Sequence, residues 1–222
     1  MGDLFEAYDR VRMRMIELVE GCDPDELART VPACPDWSVT DLVAHCSGLP
    51  AALSSGDVPG GELQAWLDGL VEARRGRSLA SLVEEWTSID EGLRGLLSGG
   101  AGLLFDDLAV HEHDLRGAIG RADYDALDVD MVLPRTLAGL TAPLEAAGLG
   151  SIEARCGVRT WRSHDAPPGW VLVTTPWEVT RAVNSRRTAD ELRALPHEGE
   201  VEPYLAVLDA HLPLPTESLG EA

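Results

Sequence analysis

The sequence predicts an α+β protein: an N-terminal four-helix bundle over residues 1–125, followed by a small α+β domain over 126–222. Three observations carry that prediction. Apolar residues recur at three- and four-residue steps through most of the first 120 positions, the period of amphipathic helices. Residues 121–130 are polar and acidic, which marks a boundary. Beyond 150, β-branched and aromatic residues alternate between turn-rich stretches, as strands do.

Taken in order, Leu4, Tyr8, Val11, Met15, Leu18 and Val19 form the stripe of a first helix over 3–21, with Asp3 able to cap it. The segment GCDPDELARTVPACPD reads as turns. Ser38 is then an N-cap, Asp41 stands three residues on, and Trp37 precedes as a hydrophobic staple, opening a second helix over about 38–47. Gly48 and Pro50 are expected to close it. A Gly/Ser/Pro stretch leads to a short helix near 62–74, and Ser78–Leu97 reads as one long helix with Leu79, Leu82, Trp86, Ile89 and Leu93 inward. After SGGAG, LLFDDLAVHEHDLRGAIG makes another helix over 102–119, with Gly120 just past its end. Four principal helices close most simply as an antiparallel bundle.

In the second half an amphipathic helix is expected over 132–147. IEARCGVRTWRS and GWVLVTT read as two strands of a hairpin around the turn DAPPG, and short helices follow near 176–184, 188–195 and 203–211.

Composition excludes several function classes. There are 38 acidic residues against 18 basic ones, for a net charge of −20, and all 18 are arginine. Such a field repels polyanions, so no nucleic-acid partner is expected. The N-terminal MGDLFEAYDRVRMRM has no apolar signal core, Glu6 spoils a Gly2 lipidation pattern, and no apolar run approaches a bilayer's thickness, so a cytoplasmic protein without a membrane partner is expected. Cys22, Cys34, Cys46 and Cys156 form no CxxC pair and read as free thiols. Cys46 adjoins His45 but reads as a small buried hydrophobe.

Chemistry concentrates in two helices. Asp107 and His111, four apart, share a helix face; that spacing suits either an ordinary surface contact or two ligands of one ion. Asp114 lies three further along the same face, whereas His113 points elsewhere. His45, on the face opened by Leu42, can complete the set from across the bundle. Two imidazoles and a carboxylate would leave a divalent ion, zinc by preference, with an open position of the catalytic type. Asp114 would then hold the tautomer of a ligating histidine.

VPACPDWSVTDLVAHCSGL at 31–49 and DDLAVHEHDLRGAIG at 106–120 resemble the two signature segments of the mycothiol-dependent maleylpyruvate isomerase family, a DinB-like four-helix bundle with a small C-terminal domain. PWEVTRAVNSRRTADEL and EPYLAVLDAHLPLP resemble that C-terminal domain. The resemblance implies that His45, Asp107 and His111 bind a divalent metal, usually zinc, and that mycothiol is cofactor or co-substrate. The acid in that family is commonly glutamate, so Asp107 is one methylene short. The implied activity is mycothiol-dependent transfer or isomerisation on an electrophilic small molecule, with the metal turning the thiol into a nucleophile. Arg186 and Arg187, just past a helix end, are candidate cofactor-binding anion anchors, or simply offset an acidic surface. Two other readings stay open: a non-catalytic metal or small-molecule binding protein, and a metal-dependent hydrolase. The protein is expected to be a monomer or homodimer.

Overall fold

The computed structural model describes residues 3–121 and 129–220. The chain divides into two compact units, Met1–Asp123 and Tyr124–Ala222. The expected boundary at 125/126 lies outside the described residues. The N-terminal unit is helical and the C-terminal one mixes helices with a sheet, giving an α+β protein.

In the N-terminal unit, α1 (Leu4–Glu20) starts where the Asp3 carboxylate accepts from the Phe5 amide at 2.9 Å. It buries Phe5, Tyr8, Val11, Met15, Ile16 and Val19 along one stripe. The segment expected to be turns alone contains α2 (Pro24–Leu27) and a two-stranded antiparallel ribbon, β1 (Thr30–Val31) with β2 (Cys34–Ser38). Its Pro and Asp residues hid two short strands, which lean on α3 and α7 rather than on any hydrophobic pattern of their own.

Helix α3 (Val39–Ser54) opens on the expected capping box: Ser38 Oγ accepts from the Asp41 amide at 3.1 Å and Asp41 returns a bond to the Ser38 amide at 2.9 Å. It does not stop at Gly48 and Pro50 but runs through both. Gly48 is a contact residue there, since a Cβ would stand 2.8 Å from the Arg74 guanidinium. That guanidinium is fixed by a bidentate pair with Glu85, at 2.8 and 3.0 Å. Helix α4 (Leu63–Glu72) packs on α3.

The long helix expected over 78–97 is two, α5 (Leu79–Thr87) and α6 (Asp90–Ser98). The carbonyl of Trp86, which would accept from the amide of Asp90 in an unbroken helix, instead accepts from Arg12 Nη1 at 2.9 Å. Thr87 and Ser88 hydroxyls also bind the carbonyls of Val83 and Glu85, at 2.9 and 2.8 Å, competing with the helix ladder. Helix α7 (Leu103–Ile119) ends on Gly120 with φ +66°, the left-handed stop its position predicted. Helices α1, α3, α5 with α6, and α7 form the bundle core, α7 touching both α1 and α3.

In the C-terminal unit, the helix expected over 132–147 is also two, α8 (Val129–Gly139) and α9 (Thr141–Ala146). Pro143 lacks the amide that would bond to the Gly139 carbonyl, and Thr141 is drawn aside to donate to the Ser163 carbonyl at 2.6 Å. The expected hairpin is also corrected. β3 (Ser151–Cys156) turns at Gly157, φ +63°, and pairs antiparallel with β4 (Arg159–Arg162), so the hairpin lies inside IEARCGVRTWRS. β5 (Pro168–Val173) runs parallel to β3 on its other side, and β6 (His197–Gly199) pairs antiparallel with β5. The sheet order is β4-β3-β5-β6. Helices α10 (Pro176–Val183), α11 (Ala189–Ala194) and α12 (Glu202–His211) fall where expected. Leu133, Leu137, Ile152, Trp170, Leu172 and Val179 are among the residues of its core.

Candidate metal centre

Three elements of the N-terminal unit converge on one point. Helix α3 brings His45, 2% exposed; α7 brings Asp107 and, one turn on, His111, 7% exposed; β2 lies alongside with Cys34 and Trp37. His45 Nε2 stands 3.2 Å from one carboxylate oxygen of Asp107 and His111 Nε2 stands 3.4 Å from the other. One potential ligand atom from each of His45, Asp107 and His111 lies within 4.8 Å of the other two. The helical spacing of Asp107 and His111 thus resolves as a shared face toward His45, with His111 buried and Asp107 half-buried.

Each neighbour has a definite task. Asp114 bonds the second nitrogen of the His111 ring, Nδ1, at 3.0 Å, and its own side chain is fully buried. The Trp37 ring lies 4.9 Å from that of His45 and 6.2 Å from that of His111, centroid to centroid. Trp37 is therefore a wall of the site, whatever it also does for the start of α3. Cys34 with His111 and Asp114 makes a second group of potential ligands, again with atoms within 4.8 Å of one another. Sequence reading missed both Cys34 and Trp37 as site residues. The one available signal was that both stand within the motif containing His45. His113 is buried and belongs to neither group.

The electrostatics are those of a compact charge cluster. Burial works to raise the Asp107 carboxyl, but the His111 and His45 rings outweigh it and hold it well below the carboxylate range. For His111, burial opposes the charged ring. The Asp107 charge, with hydrogen bonds to Asp107, Asp114 and Cys34, outweighs burial and pushes the ring well above its ordinary value. Burial pushes the Cys46 thiol far up, which leaves it protonated and inert beside His45.

Residues 8–99 match the family model of the mycothiol maleylpyruvate isomerase N-terminal domain. On this match the N-terminal unit is similar to that family. The matched span contains Cys34, Trp37 and His45 and ends before Asp107 and His111, whose place beside His45 rests on the geometry above. No curated protein and no solved structure gives a match. Among the described residues no helix is long and apolar enough to cross a membrane.

In the C-terminal unit, Arg186 and Arg187 follow α10 as expected. Arg187 is buried and gives its fork to Glu178, at 2.6 and 2.9 Å, while Arg186 Nη1 donates to the Asn184 carbonyl at 2.7 Å.

Proposed function

We propose that His45, Asp107 and His111 hold a divalent metal, zinc by preference, and that the protein is a mycothiol-dependent transferase or isomerase. The observation that carries this reading is the convergence of two imidazoles and one carboxylate from two helices in a chain whose residues 8–99 match a mycothiol maleylpyruvate isomerase domain. The donor types suit the ion, and the two imidazole–carboxylate separations, 3.2 and 3.4 Å to different oxygens of Asp107, lie near the roughly 3.3–3.4 Å between ligand atoms held about 2.0–2.1 Å from a tetrahedral zinc. Among the described residues His45 Nδ1 is buried without a hydrogen-bond partner, so the environment offers this ring no second anchor beyond its approach to Asp107.

A bound divalent ion supplies a thiolate at neutral pH, where a free thiol with pKa near 8.5 is mostly protonated. The remaining work belongs to the chain's own residues. Asp114 keeps His111 in the tautomer that presents Nε2 inward, and Trp37 shields His45 from water on one side. The substrate class is an electrophilic small molecule. An anion-anchoring role for Arg186 and Arg187 belongs to this reading too, and it has a built-in obstacle at Arg187, where an incoming anion must displace Glu178. Arg186→Ala is the variant to test, with a weakened mycothiol Kd as the expected result.

The decisive experiment is metal analysis of the purified protein and of its alanine variants at the three ligand positions. Zinc at one equivalent is expected. His45→Ala and Asp107→Ala should each weaken its binding by roughly tenfold or more, and His111→Ala should abolish it. Mycothiol added to cobalt-loaded protein should then alter the thiolate-to-cobalt absorption. Wild-type zinc affinity in all three variants would sink the site; metal without any mycothiol response would sink the cofactor and favour activated water, hence a hydrolase.

A further inference from the structure

Cys34 stands out from the other three cysteines. It is a free, partly exposed thiol placed by β2 against His111 and Asp114, whereas Cys46 and Cys156 are buried and Cys22 bonds the Leu18 carbonyl on the other side of α1's end. Sulfur, imidazole and carboxylate are each zinc ligands, and the three atoms lie within 4.8 Å of one another, close enough to surround a single ion. The group shares His111 with the two-histidine set, yet brings a different donor chemistry: a soft thiolate in place of a second imidazole.

We propose that Cys34, His111 and Asp114 form a second ligand set, so that the centre offers one ion two positions that use His111 in common. This inference rests on the metal reading above. Binding in the second position exchanges a proton for the ion: the Cys34 S–H bond breaks, the proton passes to solvent, and a sulfur–metal bond forms with no change of oxidation state. Asp114 has two tasks accordingly. With the ion on His45 and Asp107 it orients the His111 ring; with the ion on Cys34 it is a ligand. Occupation is exclusive because one imidazole serving two cations would have to lose both ring protons while holding two like charges close together. The thiolate position selects ions that prefer sulfur, such as zinc, cadmium and cobalt, over magnesium, calcium and manganese.

The test is titration of cobalt(II) alone into wild type, Cys34→Ser, His45→Ala and the double variant, followed by absorption. His45→Ala destroys only the first set. It is expected to bind one equivalent of cobalt with a near-ultraviolet thiolate-to-cobalt band, and adding Cys34→Ser should remove the band and weaken binding by roughly tenfold or more. As a second readout, saturating zinc should slow alkylation of Cys34 in the His45→Ala protein roughly tenfold, mapped by peptide mass. A His45→Ala protein that binds cobalt without the band, a band that survives Cys34→Ser, two equivalents bound at once, or unchanged alkylation would each overturn the second set. Loss of cobalt from His45→Ala while the wild type keeps it overturns the second set alone. Absence of cobalt from the wild type as well overturns the metal reading with it.

Discussion

Asp107 is the proposed ligand with least reach. It must face His45 and His111 at once, and it does so by offering one oxygen to each, at 3.2 and 3.4 Å. Asp107→Asn keeps the shape and removes the charge, so zinc affinity should fall by at least tenfold in a chelator competition, whereas Asp107→Glu should retain the ion. Asp114→Asn tests the residue behind the ligand: roughly a 10–100-fold loss in affinity is expected, since the His111 ring loses the carboxylate that fixes it. The protonation state gives a third prediction. The folded-state pKa of His111 lies above that of an unfolded histidine, near 6.5, so its contribution to metal-free stability is complete below that value and is lost as pH rises through the raised one. On the proposed reading, a cation replaces that proton. The gap in melting temperature between zinc-loaded and chelator-treated protein should therefore widen as pH rises from about 6. A gap that narrows would contradict the proton and the ion sharing one site.

At the scale of elements, helix α3 is the structural pivot. It carries His45, touches α4, α5, α6 and α7, and does so with a glycine at its closest approach. Alanine at 48 would gain about 1 kcal/mol of helix propensity. Its Cβ would also press on an Arg74 guanidinium that Glu85 already holds. Overpacking of that kind costs about 1–3 kcal/mol. Gly48→Ala is thus expected to be destabilising despite its propensity, by thermal or urea unfolding, and the loss should shrink in an Arg74→Ala background. The glycine and proline that signalled a helix end were read through their local meaning, which a neighbour's guanidinium and a continuing helix overrode. The opposite error befell 78–97, where a continuous apolar stripe gave no hint that Arg12, from another helix, would take the Trp86 carbonyl.

At the scale of the whole molecule the two units are stabilised by different means. The N-terminal unit carries the proposed ion-binding cluster, so chelation should lower its unfolding transition. The C-terminal unit has Glu153, 2% exposed, in the middle of its sheet between Arg155 and Arg162. Burial works to raise that carboxyl, but the two guanidiniums outweigh it, Arg162 first, and hold it below its ordinary value. Its contribution is accordingly present above about pH 4.3, the value of an unfolded glutamate, and is lost as pH falls through the lowered one. Glu153→Gln should cost about 1–3 kcal/mol at pH 7, with the difference from wild type fading below about pH 4 in urea titrations. A constant difference across that range would show that the carboxylate's charge is not what holds the strands.

Sequence alone determined what depends on near neighbours. The caps at Asp3 and Ser38, the left-handed stop at Gly120, the shared face of Asp107, His111 and Asp114, and the α+β succession all follow from spacings of three or four residues or from local turn chemistry. Tertiary structure decided what depends on residues far apart in the chain. It broke 78–97 and 132–147 into pairs of helices, carried α3 through Gly48 and Pro50, laid β5 parallel to β3, and brought β2 with Cys34 and Trp37 to the histidines. The reason is the same in each case. A helix face is written in the period of its own residues, whereas a captured carbonyl, a strand's partner or a thiol beside a remote imidazole is chosen by the packing of segments whose separation leaves no local trace.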